Sequence, residues 1–308
     1  MGVGAARQGQ VFHGFVTTRA SGDTESTDGI VTGLSSAARE VVTRFAPSPT
    51  GFLHLGHAFA AQTAWRRARE AGGRFLLRIE DIDPQRCRPE FAAAIQDDLR
   101  WLGLDWDGEV LVQSARLALY RRCLNGLATR QLIYPCFCSR AEIRASASAP
   151  HGPNGGPDGG PAYPGTCQRL SADQRASRLA AGVPHAWRLD MARALTGAPA
   201  LHFVEEGQGS VRACPELFGD VVLARRDAPA SYHLCVVHDD AAQGVTLVTR
   251  GEDLKPATHV HRLLQHVMEW PVPRYAHHAL VTDQVGQRLS KRHGAPRLRE
   301  AQISRNPG

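Results

Sequence analysis

The run Pro47-Ser48-Pro49-Thr50-Gly51-Phe52-Leu53-His54-Leu55-Gly56-His57 limits what this chain can fold into more than any other stretch. Before it, Val41-Val42-Thr43-Arg44-Phe45 reads as a strand. Two prolines and Gly51 then break regular structure, and apolar positions resume with helical spacing from Leu55 through Ala60 to Trp65. A strand, a tight loop and a helix in that order place the unpaired N–H groups of a helix N-terminus at the end of a strand, where they suit an anion. Gly56 permits close backbone approach in the first turn. His54 and His57 stand three residues apart, near enough to face one ligand and donate to a developing phosphate charge. The whole pattern points to ATP chemistry, whereas either histidine alone would read as a surface residue.

The alternation continues over residues 41–130. Helix Gly56–Ala71, strand Arg74–Ile79 and helix Glu90–Leu102 predict a parallel α/β sheet. Ligands in such a sheet sit beyond the carboxyl ends of the strands, so the Pro47 loop and Glu80-Asp81-Ile82-Asp83-Pro84 should meet. Asp83 is expected to cap a helix whose first residue is Pro84, which makes Asp81 and Asp83 structural rather than metal ligands. A helix over Leu117–Gln131 leads into Tyr134-Pro135-Cys136-Phe137-Cys138, after which the Gly/Pro-rich His151–Pro161 segment cannot build a core. Short alternating runs from Ala186 to Val222 suggest antiparallel strands inserted into the main fold. Tyr232–Asp239 as strand or helix, strand Gly244–Arg250 and the amphipathic Lys255–Met268 resume the α/β pattern. The expected organisation is a disordered extension over 1–40 and the first half of a catalytic domain over 41–135. An inserted subdomain follows over 136–222, with its Gly/Pro-rich loop at 146–161, and then the second half over 223–308.

At 308 residues, 43% hydrophobic and 21% charged, with no apolar stretch of membrane-spanning length, the composition is that of a globular chain. Residues 1–40 lack the apolar core of a secretory signal, and Asp23, Glu25 and Asp28 argue against a transit peptide, so a cytoplasmic location is expected. Net charge +6 is carried almost wholly by arginine, with Lys255 and Lys291 the only lysines. A polyanionic partner and a genome-wide arginine bias both accommodate that. Seven cysteines without a secretion signal read as reduced thiols or metal ligands, with Cys87, Cys123, Cys214 and Cys235 as small core residues.

Taken together these motifs resemble the class I glutamyl-tRNA synthetase group, and within it the glutamyl-Q tRNA(Asp) synthetases that lack an anticodon-binding domain, over about residues 42–295. Phe52–His57 looks like that family's "HIGH" element, and Arg288-Leu289-Ser290-Lys291-Arg292 looks like its "KMSKS" loop. The resemblance implies a Rossmann-like parallel-sheet catalytic core with an inserted zinc-binding subdomain. It implies ATP on His54, Gly56, His57, Ser290 and Lys291, with Mg2+ held mainly by phosphate oxygens. It places L-glutamate on Arg44, Phe45, Ala46, Pro47, Ser48, Glu80, Tyr232 and Arg250. The chemistry of those side chains agrees, since an acidic side chain wants an arginine fork and an α-ammonium wants a carboxylate. Residue by residue other readings stay open: Glu80 as a strand-end cap, Tyr232 as a core aromatic, Arg250 as a surface charge paired with Glu252 or Asp253.

Cys136-x-Cys138 with Tyr163 and Cys167 matches the subgroup's zinc arrangement, three thiolates and a phenolate. Three buried cysteines without metal, or His151 as fourth ligand, are the alternatives. The chain stops shortly after Lys291, short of an anticodon-binding domain. The resemblance therefore implies a monomer that makes glutamyl-adenylate without tRNA and transfers glutamate to the queuosine base of tRNA(Asp). A truncated glutamyl-tRNA synthetase charging tRNA(Glu) and a non-catalytic RNA-binding relative are the competing expectations. One departure from the family pattern is His261, which stands where glutamine is usual.

Overall fold

Continuous apolar runs build the centre of the fold. Strand β1 (Val42–Phe45) is buried at every residue and β2 (Arg74–Ile79) at all but its first, as parallel strands covered on both faces must be. Between them α1 (Leu55–Glu70) turns Ala58, Ala61, Ala64 and Ala68 inward, a stripe of small side chains that lets the sheet approach closely. The chain re-enters beside β1 through Gly73, where a Cβ would lie 1.9 Å from the Val41 carbonyl oxygen, so no larger residue fits. After α2 (Pro89–Trp101), β3 (Leu111–Val112) completes a parallel set in the order β1-β2-β3.

In this computed structural model residues 40–147, 157, 163–282, 289 and 296–303 are described. The expected extension before residue 40, the loop from 148 to 162 with His151 (Pro157 apart), and the Arg288–Arg292 motif apart from Leu289 lie outside them. The order continues through α3 (Leu117–Thr129), β4 (Ile133–Cys136), α4 (Arg140–Ala147), α5 (Ala172–Ala180), β5 (Ala186–Leu189), α6 (Met191–Leu195), β6 (His202–Glu205), β7 (Gly209–Arg212) and β8 (Val222–Ala224). It closes with α7 (Tyr232–Ala242), β9 (Leu247–Gly251), α8 (Ala257–Val267), β10 (Arg274–His278) and α9 (Leu298–Ile303). Among the described residues no helix is long and apolar enough to cross a membrane.

Strands β4, β5 and β8 form the expected antiparallel sheet, but β6 and β7 do not belong to it. Instead β6 runs parallel to β10, which runs parallel to β9, and β7 closes a hairpin on the outer edge of β6. The alternating burial of β6, with Phe203 and Glu205 inward, is what the sequence pattern conveys; a period of two does not say which sheet a strand will join. A second correction concerns Asp83. The helix starts at Pro89 rather than Pro84, and Asp83 closes the preceding turn by accepting from the Gln85 backbone N–H and the Arg86 Nε. Proline at the first helical position is the right rule applied to the wrong proline. Of the four cysteines expected in the core only Cys235 is fully buried; Cys87, Cys123 and Cys214 are half-buried.

The two halves of the catalytic core meet along β1 and β9, where the Thr246 N–H donates to the Val42 carbonyl at 3.0 Å and the Val42 N–H donates to the Thr246 hydroxyl at 2.8 Å. Charge completes the junction. Arg78 on β2 has no exposed surface and donates to Asp240 of α7 at 2.7 Å and to Glu80 at 3.2 Å. Arg44 on β1 donates to Asp240 at 2.9 Å and to the Thr249 carbonyl of β9. Burying a guanidinium costs several kcal/mol unless carboxylates and further hydrogen bonds compensate, and here Asp240 serves two arginines at once. Asp240→Ala is expected to lower the free energy of unfolding by about 3–5 kcal/mol because it strands two buried cations. Breaking the exposed Arg100–Asp97 pair by Arg100→Ala should change it by less than about 1 kcal/mol, both read by urea denaturation.

Candidate active site

Two loop ends and one helix start form a single cleft of about 710 Å³. Its lining contains Arg44, Phe45, Ala46, Pro47, Ser48, His54, Gly56, His57, Glu80, Tyr232 and Arg250, so every described residue expected to bind ATP or glutamate lies in one place. Ser290 and Lys291 fall outside the described residues. The junction of the Pro47 and Glu80 loops follows from the parallel register of β1 and β2 and from the Glu80 N–H, which donates to the Pro47 carbonyl at 3.1 Å.

At the helix start, His54 is the N-cap of α1: its Nδ1 accepts the Gly56 N–H at 3.1 Å, while the His57 Nδ1 accepts the His54 N–H at 3.2 Å. The two rings stand 3.8 Å apart. Because each Nδ1 is an acceptor, the proton of each neutral imidazole sits on Nε2, the donor edge a phosphate oxygen would meet. Gly56 leaves room for the His54 ring over the first turn: a Cβ there would lie 3.1 Å from it. The helix dipole and the two ring donors together are chemistry that suits an anion, and His54, Gly56 and His57 all line the cleft.

The two arginines of the cleft differ in their partners. Arg44 is committed to Asp240 and Thr249. Arg250 is buried and meets only neutral groups: His277 Nε2 at 3.0 Å, Tyr232 Oη at 3.2 Å, Thr258 Oγ1 at 2.7 Å and His261 Nδ1 at 3.3 Å. It is therefore not a surface charge, and neither Glu252 nor Asp253 pairs with it. Among the described residues no carboxylate neutralises this guanidinium, so it holds a full positive charge for an acidic group entering the cleft. Tyr232, at the start of α7, lines the cleft and also packs against the main core. Burial pushes the Glu80 carboxyl above its ordinary value against the pull of Arg78 and Arg44. The cleft thus carries a carboxylate at Glu80 and, at Arg250, a guanidinium whose partners are neutral.

A separate cluster lies where β4 ends. The sulfurs of Cys136, Cys138 and Cys167 are within 4.8 Å of one another, and Cys138 Sγ is 3.7 Å from the Tyr163 hydroxyl. The Phe137 N–H donates to Cys167 Sγ at 3.2 Å and the Cys167 N–H donates to the Tyr163 oxygen at 2.8 Å. Burial pushes the Cys138 thiol up to about 11. At Cys167 burial acts the same way but is outweighed by the Phe137 N–H and neighbouring donors, which hold that thiol below its ordinary value. One sulfur is biased toward thiolate, and a divalent cation among all three would ionise the rest. The donor set fits a soft or borderline metal ion.

The cleft also contains residues the sequence did not single out. Thr249 and Gly251 lie at the end of β9 and Asp253 and Leu254 follow it, while His278, Leu280, Val281 and Leu289 close the end next to Gly56 and Ala60. Those last apolar side chains suit a flat base. None has a motif of its own, although Thr249, Gly251 and Asp253 flank Arg250 and could have been found by extending the strand-end rule one turn past β9.

Comparison with known proteins agrees with this geometry. The family described as tRNA synthetases class I (E and Q), catalytic domain, matches residues 40–306. The chain is 53% identical to the glutamyl-Q tRNA(Asp) synthetase of Rhodobacter capsulatus, over 84% of this chain and 93% of that one. It is 46% identical to the enzyme of the same name from Symbiobacterium thermophilum, over 83% and 79%. A crystal structure of a glutamate tRNA ligase from Elizabethkingia meningosepticum, in complex with its amino acid, superposes with a TM-score of 0.69 at 30% identity. That likeness covers 83% of this chain and 52% of the ligase, so the chain spans about half the length of that larger protein.

The buried histidines around Arg250 set a pH dependence. Burial, then the nearby Arg250 charge, lowers the His277 pKa to about 4 from 6.5 despite Glu205, and lowers His261 well below 6.5. A group depressed in the folded state contributes stability that is present above its unfolded pKa and lost as pH falls toward the folded one. Stability should therefore decline between pH 6.5 and about 4. In His277→Gln the slope of unfolding free energy against pH across that window should be shallower, as read by denaturation at stepped pH.

Proposed function

The chain belongs to the class I tRNA synthetases of the glutamate and glutamine branch, and on that premise we propose that it activates L-glutamate with ATP without tRNA and transfers it to the queuosine base of tRNA(Asp). The observation that carries this reading is the placement, in one cleft, of a buried arginine with only neutral partners and a helix N-terminus flanked by two histidines. The acceptor is supported by relatives of 43–53% identity that bear the glutamyl-Q name.

In the proposed complex the glutamate γ-carboxylate lies on Arg250 and Tyr232, and the α-ammonium on Glu80. Phe45, Ala46, Pro47 and Ser48 shape the wall between them, and Arg44 holds that wall through Asp240. An oxygen of the α-carboxylate attacks the α-phosphorus of ATP, the bond from that phosphorus to the bridging oxygen breaks, and pyrophosphate departs with the electron pair. The N–H groups of α1 and the Nε2 donors of His54 and His57 stabilise the charge on the phosphates, and the Lys291 ammonium adds a point charge to the same phosphates. Mg2+ enters with ATP on its phosphate oxygens. In the second step a hydroxyl of the queuosine base attacks the activated carbonyl and AMP leaves. Zn2+, held by Cys136, Cys138, Tyr163 and Cys167, would be structural: four protein donors leave no open position and would pin the end of β4 to the loop carrying Cys167. The substrates place the reaction in the cytoplasm.

Glutamate-dependent exchange of pyrophosphate into ATP without tRNA is the expected result, followed by labelled transfer to queuosine-containing but not queuosine-free tRNA(Asp). Charging of tRNA(Glu) instead would identify a glutamyl-tRNA synthetase, and absence of exchange would remove the enzyme reading. Lys291→Ala should slow adenylate formation by about 10²–10³ while changing glutamate binding little, because its charge matters most where phosphate charge builds. Metal analysis should find one zinc per chain, lost in Cys138→Ser; full retention in that variant would remove Cys138 from the ligand set.

A further inference from the structure

Arg250 is held on its rear edge by two buried residues from different strands. The register of β6 and β10 sets Glu205 opposite Tyr275, and where that ladder stops the Glu205 carboxylate takes over as acceptor for the next strand residue. Glu205 Oε1 accepts the His277 backbone N–H at 3.0 Å, and Oε2 accepts from His277 Nδ1 at 2.8 Å. The His277 ring stacks parallel on Tyr275, and both His277 and Glu205 side chains are almost fully buried. With its proton fixed on Nδ1 by the carboxylate, His277 presents a bare Nε2, which accepts the Arg250 Nε–H at 3.0 Å.

We propose that Glu205 and His277 are positioning residues that aim the Arg250 guanidinium at the substrate's acidic side chain without neutralising it, and so set the preference for glutamate over its amide. This rests on the reading of Arg250 as the group that binds the γ-carboxylate. The physical reason is the distribution of charge. A carboxylate in direct contact with Arg250 would compete with the substrate's own, as Asp240 occupies Arg44. An imidazole between them passes on orientation while keeping the negative charge one ring away. The relay uses β6, a strand that the sequence pattern assigns to the insertion and that the structure places in the sheet of β9 and β10.

Replacing Glu205 by glutamine discriminates orientation from bulk. The backbone N–H of His277 must still be accepted, so the single amide oxygen goes there and the amide N–H₂ is left facing Nδ1. The imidazole then carries its proton on Nε2, against the Arg250 Nε–H. For Glu205→Gln, with a melting temperature close to the unsubstituted protein, the glutamate KM in pyrophosphate exchange should rise about tenfold or more. The ATP KM should hold, kcat should stay within about threefold, and the ratio of glutamate to glutamine activation should fall as the glutamate KM rises. The relay is read independently by 15N imidazole shifts, His277 being assigned by its loss in His277→Gln: a bare Nε2 in the unsubstituted protein and a protonated Nε2 in Glu205→Gln.

An unchanged glutamate KM in folded Glu205→Gln, or glutamate and ATP KM values rising together, would overturn the proposal, as would a His277 tautomer that does not reverse. If the unsubstituted protein activates no amino acid, the functional reading fails on its own, and the tautomer reversal still decides whether Glu205 sets the face His277 turns to Arg250.

Discussion

The shared carboxylate of Asp240 is the interaction on which the rest of the structure leans. It accepts from Arg44 on β1 and Arg78 on β2, and both cations are too deeply buried to find water instead. Its neighbour Asp239 faces the other way, accepting from Gln113, Arg116 and Tyr120. Two consecutive aspartates in α7 thus fasten the second half of the core to the sheet of the first and to the helix behind it. The same fastening places Tyr232, two turns earlier on α7, in the cleft. Positioning and stability come from one network, so the cleft cannot be loosened without unfolding the junction.

Against that background Arg44 and Arg250 show how one side chain serves two ends. Both are buried and both line the cleft. Arg44 has its counter-charge inside the protein and acts as a strut. Arg250 is surrounded by a phenol, a hydroxyl and two imidazoles that burial keeps neutral, which leaves an uncompensated cation facing open space. An isolated buried charge is costly, and proteins keep one where a ligand completes it.

The parts of the site that were legible in the sequence are those in which chemistry and local geometry coincide. Gly56 between two histidines after a proline-broken loop declares a helix N-terminus, Glu80 ends an apolar strand, and Cys136-x-Cys138 sits on a strand end. The expectation that the Pro47 and Glu80 loops meet held because parallel strands place their carboxyl ends together by construction. What was not legible involved partners far apart in the chain. Nothing local to Arg250 announces His277 or Thr258, and nothing in His202–Glu205 distinguishes a strand of the insertion from a strand of the main sheet. The helix expected over Glu90–Leu102 lies within one residue of its observed bounds, but its cap was assigned to Asp83-Pro84 because Arg88-Pro89 offers the same proline signal, and only the Asp83 turn settles which is used.

By itself, then, the sequence determined which groups the cleft and the cysteine cluster would contain: a helix start between two histidines, a carboxylate, an arginine and three sulfurs, each specified by residue type and short-range spacing. Tertiary structure decided which arginine is paired with a carboxylate of the fold and which has only neutral partners. It also decided that Glu205 stands behind His277. The reason is that charge pairing and burial depend on distance in space. Asp240 meets Arg44 across 196 residues and Arg78 across 162, and no pattern of neighbours along the chain carries that information.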